Sequence, residues 1–129
     1  MSISKEVYSA GPYKNIFAQA VKVGDTLYIS GQVGVKPDGT PGANIVEQTQ
    51  LAYANIQHVL KQFNLEAKNI VDETWFTTNM KDLMKQNEAV FASRGEFYQG
   101  SAEVCQTLVE VSALVMPELL LEIKCVAKL

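Results

Sequence analysis

The chain has 129 residues, 47% of them apolar, with a formal net charge of −3. That is long enough for one compact domain, residues 1–129, that buries a core without disulfides or a metal, and it is too apolar for disorder. A pI of about 5.1, ten scattered lysines and a single arginine, Arg94, speak against nucleic acid as a partner, which needs clustered cations; no run reaches the roughly 18 uninterrupted apolar residues of a membrane span.

Met1-Ser2-Ile3-Ser4-Lys5 is not expected to be a signal peptide, because no apolar run follows it. Phe17 to Val23 and Thr26 to Val33 read as two strands. Gly24-Asp25 between them fits a two-residue hairpin turn with glycine first. Residues 36–42, KPDGTPG, form a turn-rich loop. Ile45 to Phe63 reads as a helix, because Ala52, Ile56, Val59, Leu60 and Phe63 make one apolar stripe. Asn64 is placed to end it.

Ile70 to Thr78 is a third strand. Asn79 then stands as an N-cap, with Asp82 three residues on. The second helix is predicted to run to about Arg94 and to stop at Gly95. Leu83, Asn87, Val90 and Phe91 share a face, which makes Asn87 a polar residue on an apolar stripe.

The segment from Ser101 to Leu129 reads as two strands joined at Met116-Pro117-Glu118. In the first, Cys105, Thr107, Val109, Val111 and Ala113 share a mostly apolar face, and Gln106, Leu108, Glu110 and Ser112 share the other. In the second, Leu119, Leu121, Ile123, Cys125 and Ala127 oppose Leu120, Glu122, Lys124 and Val126. Both cysteines are therefore expected in the core, reduced. Helices cover one face of such a sheet, so the mixed face with Leu108, Leu120 and Val126 is expected to meet a partner, and Gln106, Glu110 and Glu122 to lie where subunits or ligands meet.

These pieces resemble the Rid family, the reactive intermediate deaminases, also known as liver perchloric-acid-soluble proteins and once described as endoribonucleases. The resemblance is carried by AQAVKVGDTLYISGQVGVKPDG (18–39), NIQHVL (55–60), IVDETWFTTNMKDL (70–83), NEAVF (87–91) and VEVSAL with LEIKCVA (109–127). It implies a chorismate-mutase-like α+β domain of order β-β-α-β-α-β-β, with two helices on one face of a mixed sheet. It further implies a homotrimer around a central barrel, with a cleft between each pair of subunits. The implied activity is cofactor-free hydrolysis of 2-imino or 2-enamino acids to 2-oxo acids and ammonia, in the cytoplasm.

The matching site residues are Ser30, Gly31, Asn87 and Glu122. Phe17 stands where many members have tyrosine, Gln106 where the deaminases have arginine, and Leu108 where cysteine is frequent. Glu122 is the candidate to place a water or move protons, and Ser30-Gly31 to hold the imine or carbonyl. An arginine grips a carboxylate bidentately, whereas glutamine brings no charge. Activity on 2-imino acids is therefore expected to be weak or absent, and a trimeric small-ligand-binding or scavenging protein is the alternative. A ribonuclease or translation inhibitor is disfavoured by the acidic pI. For Lys124 the plain reading is an ion pair with Glu110 or Glu122, for Asn87 a backbone partner, for Glu122 interface hydrogen bonds, and for His58 the surface. No metal cluster or phosphate loop is present in the sequence.

Overall fold

The computed structural model describes residues 3–129; Met1 and Ser2, within the start read as no signal peptide, lie outside the described residues. Six strands form one mixed sheet: β1 (Glu6–Tyr8), β2 (Ala20–Val23), β3 (Thr26–Val33), β4 (Ile70–Thr77), β5 (Cys105–Glu110) and β6 (Leu121–Lys128). Their order across the sheet is β1-β2-β3-β6-β4-β5. Three helices follow the chain as α1 (Ile45–Lys61), α2 (Met80–Lys85) and α3 (Asn87–Phe97). The expected α+β class, with helices on one face of a mixed sheet, is the one the chain adopts. The short edge strand β1 adds to the expected element order.

The local signals explain most elements. Gly24 takes φ +60° in the β2–β3 turn, a conformation that glycine adopts without steric cost. Helix α1 is capped by Asn44, whose side chain accepts from the Glu47 amide, while the Glu47 carboxylate accepts from the Ala43 amide. Its stripe of Ala52, Ile56, Val59 and Leu60 is buried. Asn64, at φ +58°, turns the chain away just beyond it. Asn79 caps α2 by accepting from the Asp82 amide, 3.0 Å away.

The second helix departs from the sequence reading. It breaks at Gln86, whose φ of −108° and ψ of 22° leave the helical region, and α3 then runs through Gly95 to Phe97. Gly95 does not stop it. Termination needs a left-handed residue, and Gln99 (φ +53°) and Gly100 (φ +82°) supply it.

Leu27, Ile29, Trp75, Ile123 and Cys125 on the sheet pack under Ala52, Ile56 and Leu60 of α1 and Val90 of α3, all of them buried. Each large apolar side chain placed there is worth roughly 1.5–3 kcal/mol. Gln48, also buried, donates to the carbonyls of Gly42 and Glu118 and accepts from the Leu120 amide. It thereby ties the loop before β6 to α1. Gly34 lets the chain pass against the α1 backbone, since a Cβ there would meet the Gln48 carbonyl.

The last two strands do not pair with each other. β5 runs parallel to β4 on its outer side, and β6 lies antiparallel between β4 and β3. This reverses the predicted faces of β5. Gln106 is level with Glu73 and Leu108 with Trp75, so both point to the helix side; Cys105, Thr107 and Val109 stand on the open side. Cys105 is therefore exposed, whereas Cys125 is buried as expected. Leu108 and Leu120 pack against the core rather than awaiting a partner. The open face instead shows Tyr28 (49% exposed) and Val109 (37% exposed), with Val126 and Phe76 half-buried between them.

Candidate active site

The residues expected in one site fall into two groups on opposite sides of the sheet. The first lies on the open side, around an irregularity between β3 and β6. There Ile29 pairs with Cys125 and Gln32 with Ile123, so Ser30-Gly31 bulge opposite Lys124. Glu122 packs onto this bulge. A Cβ on Gly31 would sit 2.6 Å from the Glu122 carboxyl carbon, so any side chain there would push the carboxyl group off this seat. Ser30 is tied down on three sides: its hydroxyl donates to the Ala18 carbonyl at 2.7 Å, its backbone amide donates to the Gln19 carbonyl, and its carbonyl accepts from the Gln32 side-chain Nε2. The Ser30 amide is thus already used, which leaves Gly31 as the backbone element facing Glu122.

Burial raises the Glu122 carboxyl above its ordinary pKa, and Lys124 beside it pulls the other way. Lys124 forms neither of the ion pairs read from the sequence; its ammonium donates to the Ile29 carbonyl at 3.4 Å. Phe17 lies outside β2, in the loop that leads into it. It is 45% exposed and stacks on Tyr13 with ring centroids 5.5 Å apart. Because Ala18 receives the Ser30 hydroxyl, Phe17 is one residue from the bulge.

The second group lies on the helix side at the β5 edge and centres on Glu73, whose side chain is fully buried. Tyr98 donates to its Oε2 at 2.7 Å, Tyr53 donates to both oxygens at 2.9 and 3.2 Å, and Arg94 Nε and Gln106 Nε2 both donate to Oε1, Gln106 at 3.1 Å. The guanidinium carbon of Arg94 also lies over the Tyr98 ring, 5.0 Å from its centroid. Burial pushes both phenols far up, and Glu73 adds to this. Burial works against the charge on Arg94, but the hydrogen bond and the charge of Glu73 outweigh it. Cys125, on β6 beside Glu73, is raised first by burial and then by that same acid. Trp75 Nε1 is, among the described residues, the one buried side-chain donor with no partner.

Gln106 thus engages a buried acid that the sequence reading did not single out. Leu108 follows it, half-buried, on the same face. Arg94, near the end of α3, shares the Glu73 Oε1 acceptor with Gln106. A signal for Glu73 was present: it shares strand parity with Trp75, the chain's only tryptophan. Glu110 accepts from the Met80 amide at 2.8 Å and so holds the start of α2. Asn87 opens α3 on the exposed surface rather than on its buried stripe. His58 is on the surface, as expected, within hydrogen-bond distance of the Tyr8 hydroxyl at 3.3 Å. No cluster of three or more metal-ligating side chains occurs among the described residues, and no described helix is long and apolar enough to cross a membrane.

Comparison with known proteins places the chain in a family. The family described as Endoribonuclease L-PSP matches residues 4–129, and the chain belongs to it. The chain is 35% identical over 104 residues to the 2-iminobutanoate/2-iminopropanoate deaminase of Mus musculus, across 78% of this chain and 70% of the mouse protein. It is 35% identical over 120 residues to a RutC family protein of Saccharolobus solfataricus, across 92% of this chain and 87% of that one. Among solved structures, the Rid family protein YyfA of Yersinia pestis, described as of unknown function, superposes with a TM-score of 0.82 at 30% identity, covering 98% of this chain and all of that one.

Proposed function

We propose that this chain, as one domain over residues 1–129, is a cytoplasmic Rid-type hydrolase that releases ammonia from a small imine or enamine without a cofactor. The observation that carries this reading is the Glu122 carboxyl seated on Gly31 at the β3 bulge, its pKa raised by burial. A carboxyl so tuned exchanges protons nearer neutral pH than an exposed one. In the reaction, a water oxygen bonds to the C=N carbon as its proton passes to the Glu122 carboxylate. That proton then goes to the nitrogen to give a carbinolamine; the proton left on the new hydroxyl follows through the same carboxyl group, the C–N bond breaks as the C=O bond forms, and a carbonyl compound and ammonia leave. Gly31 offers the close backbone approach at which the reacting group rests.

In one chain the sheet separates Glu122 from Gln106 and Leu108. A cleft that uses both groups therefore needs two copies, Phe17, Ser30, Gly31 and Glu122 coming from one and Gln106 and Leu108 from the next. A homotrimer fits that requirement and covers the open face with Tyr28 and Val109. Asn87 belongs to the proposed substrate-binding set on family resemblance alone. Light scattering at micromolar concentration is expected to give three times 14.2 kDa; a monodisperse monomer would remove the two-copy cleft.

Gln106 brings no charge to a substrate carboxylate, and its amide nitrogen is already bound to Glu73. Short 2-imino acids are therefore expected to be poor substrates. Freshly generated 2-iminobutanoate should yield ammonia far more slowly than with the mouse relative. Equal rates would overturn this account of Gln106. If no ammonia appears from charged or uncharged imines while the trimer persists, the non-catalytic ligand-binding reading takes its place. A ribonuclease, which the family's description suggests, finds little support in the chain's acidic balance and scattered lysines.

A further inference from the structure

The Glu73 cluster fixes the direction of Gln106. A carboxylate only accepts hydrogen bonds, so the amide nitrogen must face it and Oε1 must point away. That Oε1 has no donor among the described residues, on a half-buried side chain at an edge strand. Arg94 is held in a complementary way. Its Nε is committed to the same Glu73 oxygen and its guanidinium carbon lies over the Tyr98 ring, which leaves its two terminal nitrogens without an acceptor among the described residues. Its side chain is 16% exposed. The two residues share Glu73 Oε1, so a fixed acceptor and a fixed donor pair stand side by side.

We propose that Gln106 and Arg94 are specificity-determining residues that recognise a primary carboxamide on the ligand. Arg94 donates to the amide oxygen, and Gln106 accepts from the amide N–H. A carboxylate in the same place keeps the first contact but sets its lone pairs against those of Gln106 Oε1. It also meets an arginine whose charge Glu73 already balances. The preference is therefore for an uncharged amide over its acid, and the natural substrate class is an imine or enamine bearing a carboxamide. This deepens the hydrolase reading and rests on its cleft at the β5 edge.

The test uses 2-oxobutanamide and 2-oxobutanoate as probes, titrated into the intact protein. Arg94 is the only arginine, so its Nε–H gives a single NMR signal to follow. The amide is expected to move that signal and to bind about tenfold more tightly than the acid, the scale set by one mismatched polar contact. Gln106→Leu, which removes the acceptor, should bring the two affinities within about threefold. The proposal falls if the acid binds the wild type equally well or better, if the amide binds without moving the Arg94 signal, or if neither probe binds. Ammonia release is scored separately. A protein that selects the amide but releases no ammonia loses the reaction and keeps this assignment; one that hydrolyses 2-imino acids and 2-imino amides at equal rates keeps the reaction and loses the assignment.

Discussion

Arg94→Ala should cost about 3–5 kcal/mol of stability, the usual penalty for leaving one member of a buried ion pair alone. Glu73 has no exposure at all, and Arg94 is the only formal positive charge among its hydrogen-bond donors. Removing Arg94 leaves two phenols and one amide to hold a carboxylate in the core, and these bring hydrogen bonds but no charge. The check is urea unfolding, read by the fluorescence of Trp75, which lies in the same layer. A second variant separates pairing from packing. Glu73→Gln combined with Arg94→Met keeps acceptors for Tyr53 and Tyr98 and removes both charges. It should be clearly more stable than Arg94→Ala alone, because a buried pair replaced as a whole is often nearly neutral. A loss below about 1 kcal/mol for Arg94→Ala, the range of exposed ion pairs, would mean that water reaches Glu73 and that the cluster does not fix Gln106.

Glu122→Gln should lower kcat/KM for imine hydrolysis by about 10²- to 10⁴-fold, the range for a lost general acid–base group. Glutamine keeps the shape and the seat against Gly31 but cannot carry the proton. The pH dependence should move as well. Burial raises the Glu122 pKa, so the ionised base appears only as pH climbs through a value above the ordinary carboxylate range. The wild-type rate is expected to rise through that point, and the residual rate of the variant to lack the rise. Stability runs the opposite way. A raised folded-state pKa means that the contribution is full below the unfolded value and is lost as pH rises through the folded one. Above that point the variant should be the more stable protein and the less active one. Unchanged kcat/KM in a folded Glu122→Gln protein would restrict Glu122 to a structural role.

Much of this layout was readable in the residues. The β2–β3 turn, the α1 stripe and the Asn79 cap follow from chemistry within a few positions, and the structure keeps them. Ser30-Gly31 and Glu122 meet because the β3 bulge lies opposite β6, a pairing that no local pattern states; the family resemblance named these residues only as members of one site. The faces of β5 were misread for a definite reason. Alternation separates two faces but does not say which one looks inward. The apolar set of Cys105 and Val109 seemed to belong inside. The strand instead pairs with β4, whose inward side carries Glu73, and that acid needs Gln106. One long-range polar demand thus outweighed the local apolar pattern. The break at Gln86 was hidden for a related reason: none of its neighbours is proline or glycine, so no residue there marks a stop.

The placement of β6 bears on how the molecule is made. Strands β1 to β3 can form a hairpin-based ribbon as soon as they are synthesised, and β4 with β5 a second, parallel pair. These two halves share no strand-to-strand contact except through β6, which enters between β3 and β4. A nascent chain therefore presents two unfinished edges to its surroundings until residues 121–128 have cleared the ribosome. For that interval each edge is open to strands from other molecules. The sheet closes like a seam whose last stitch lies in its middle, so its two halves are joined only once β6 has been made.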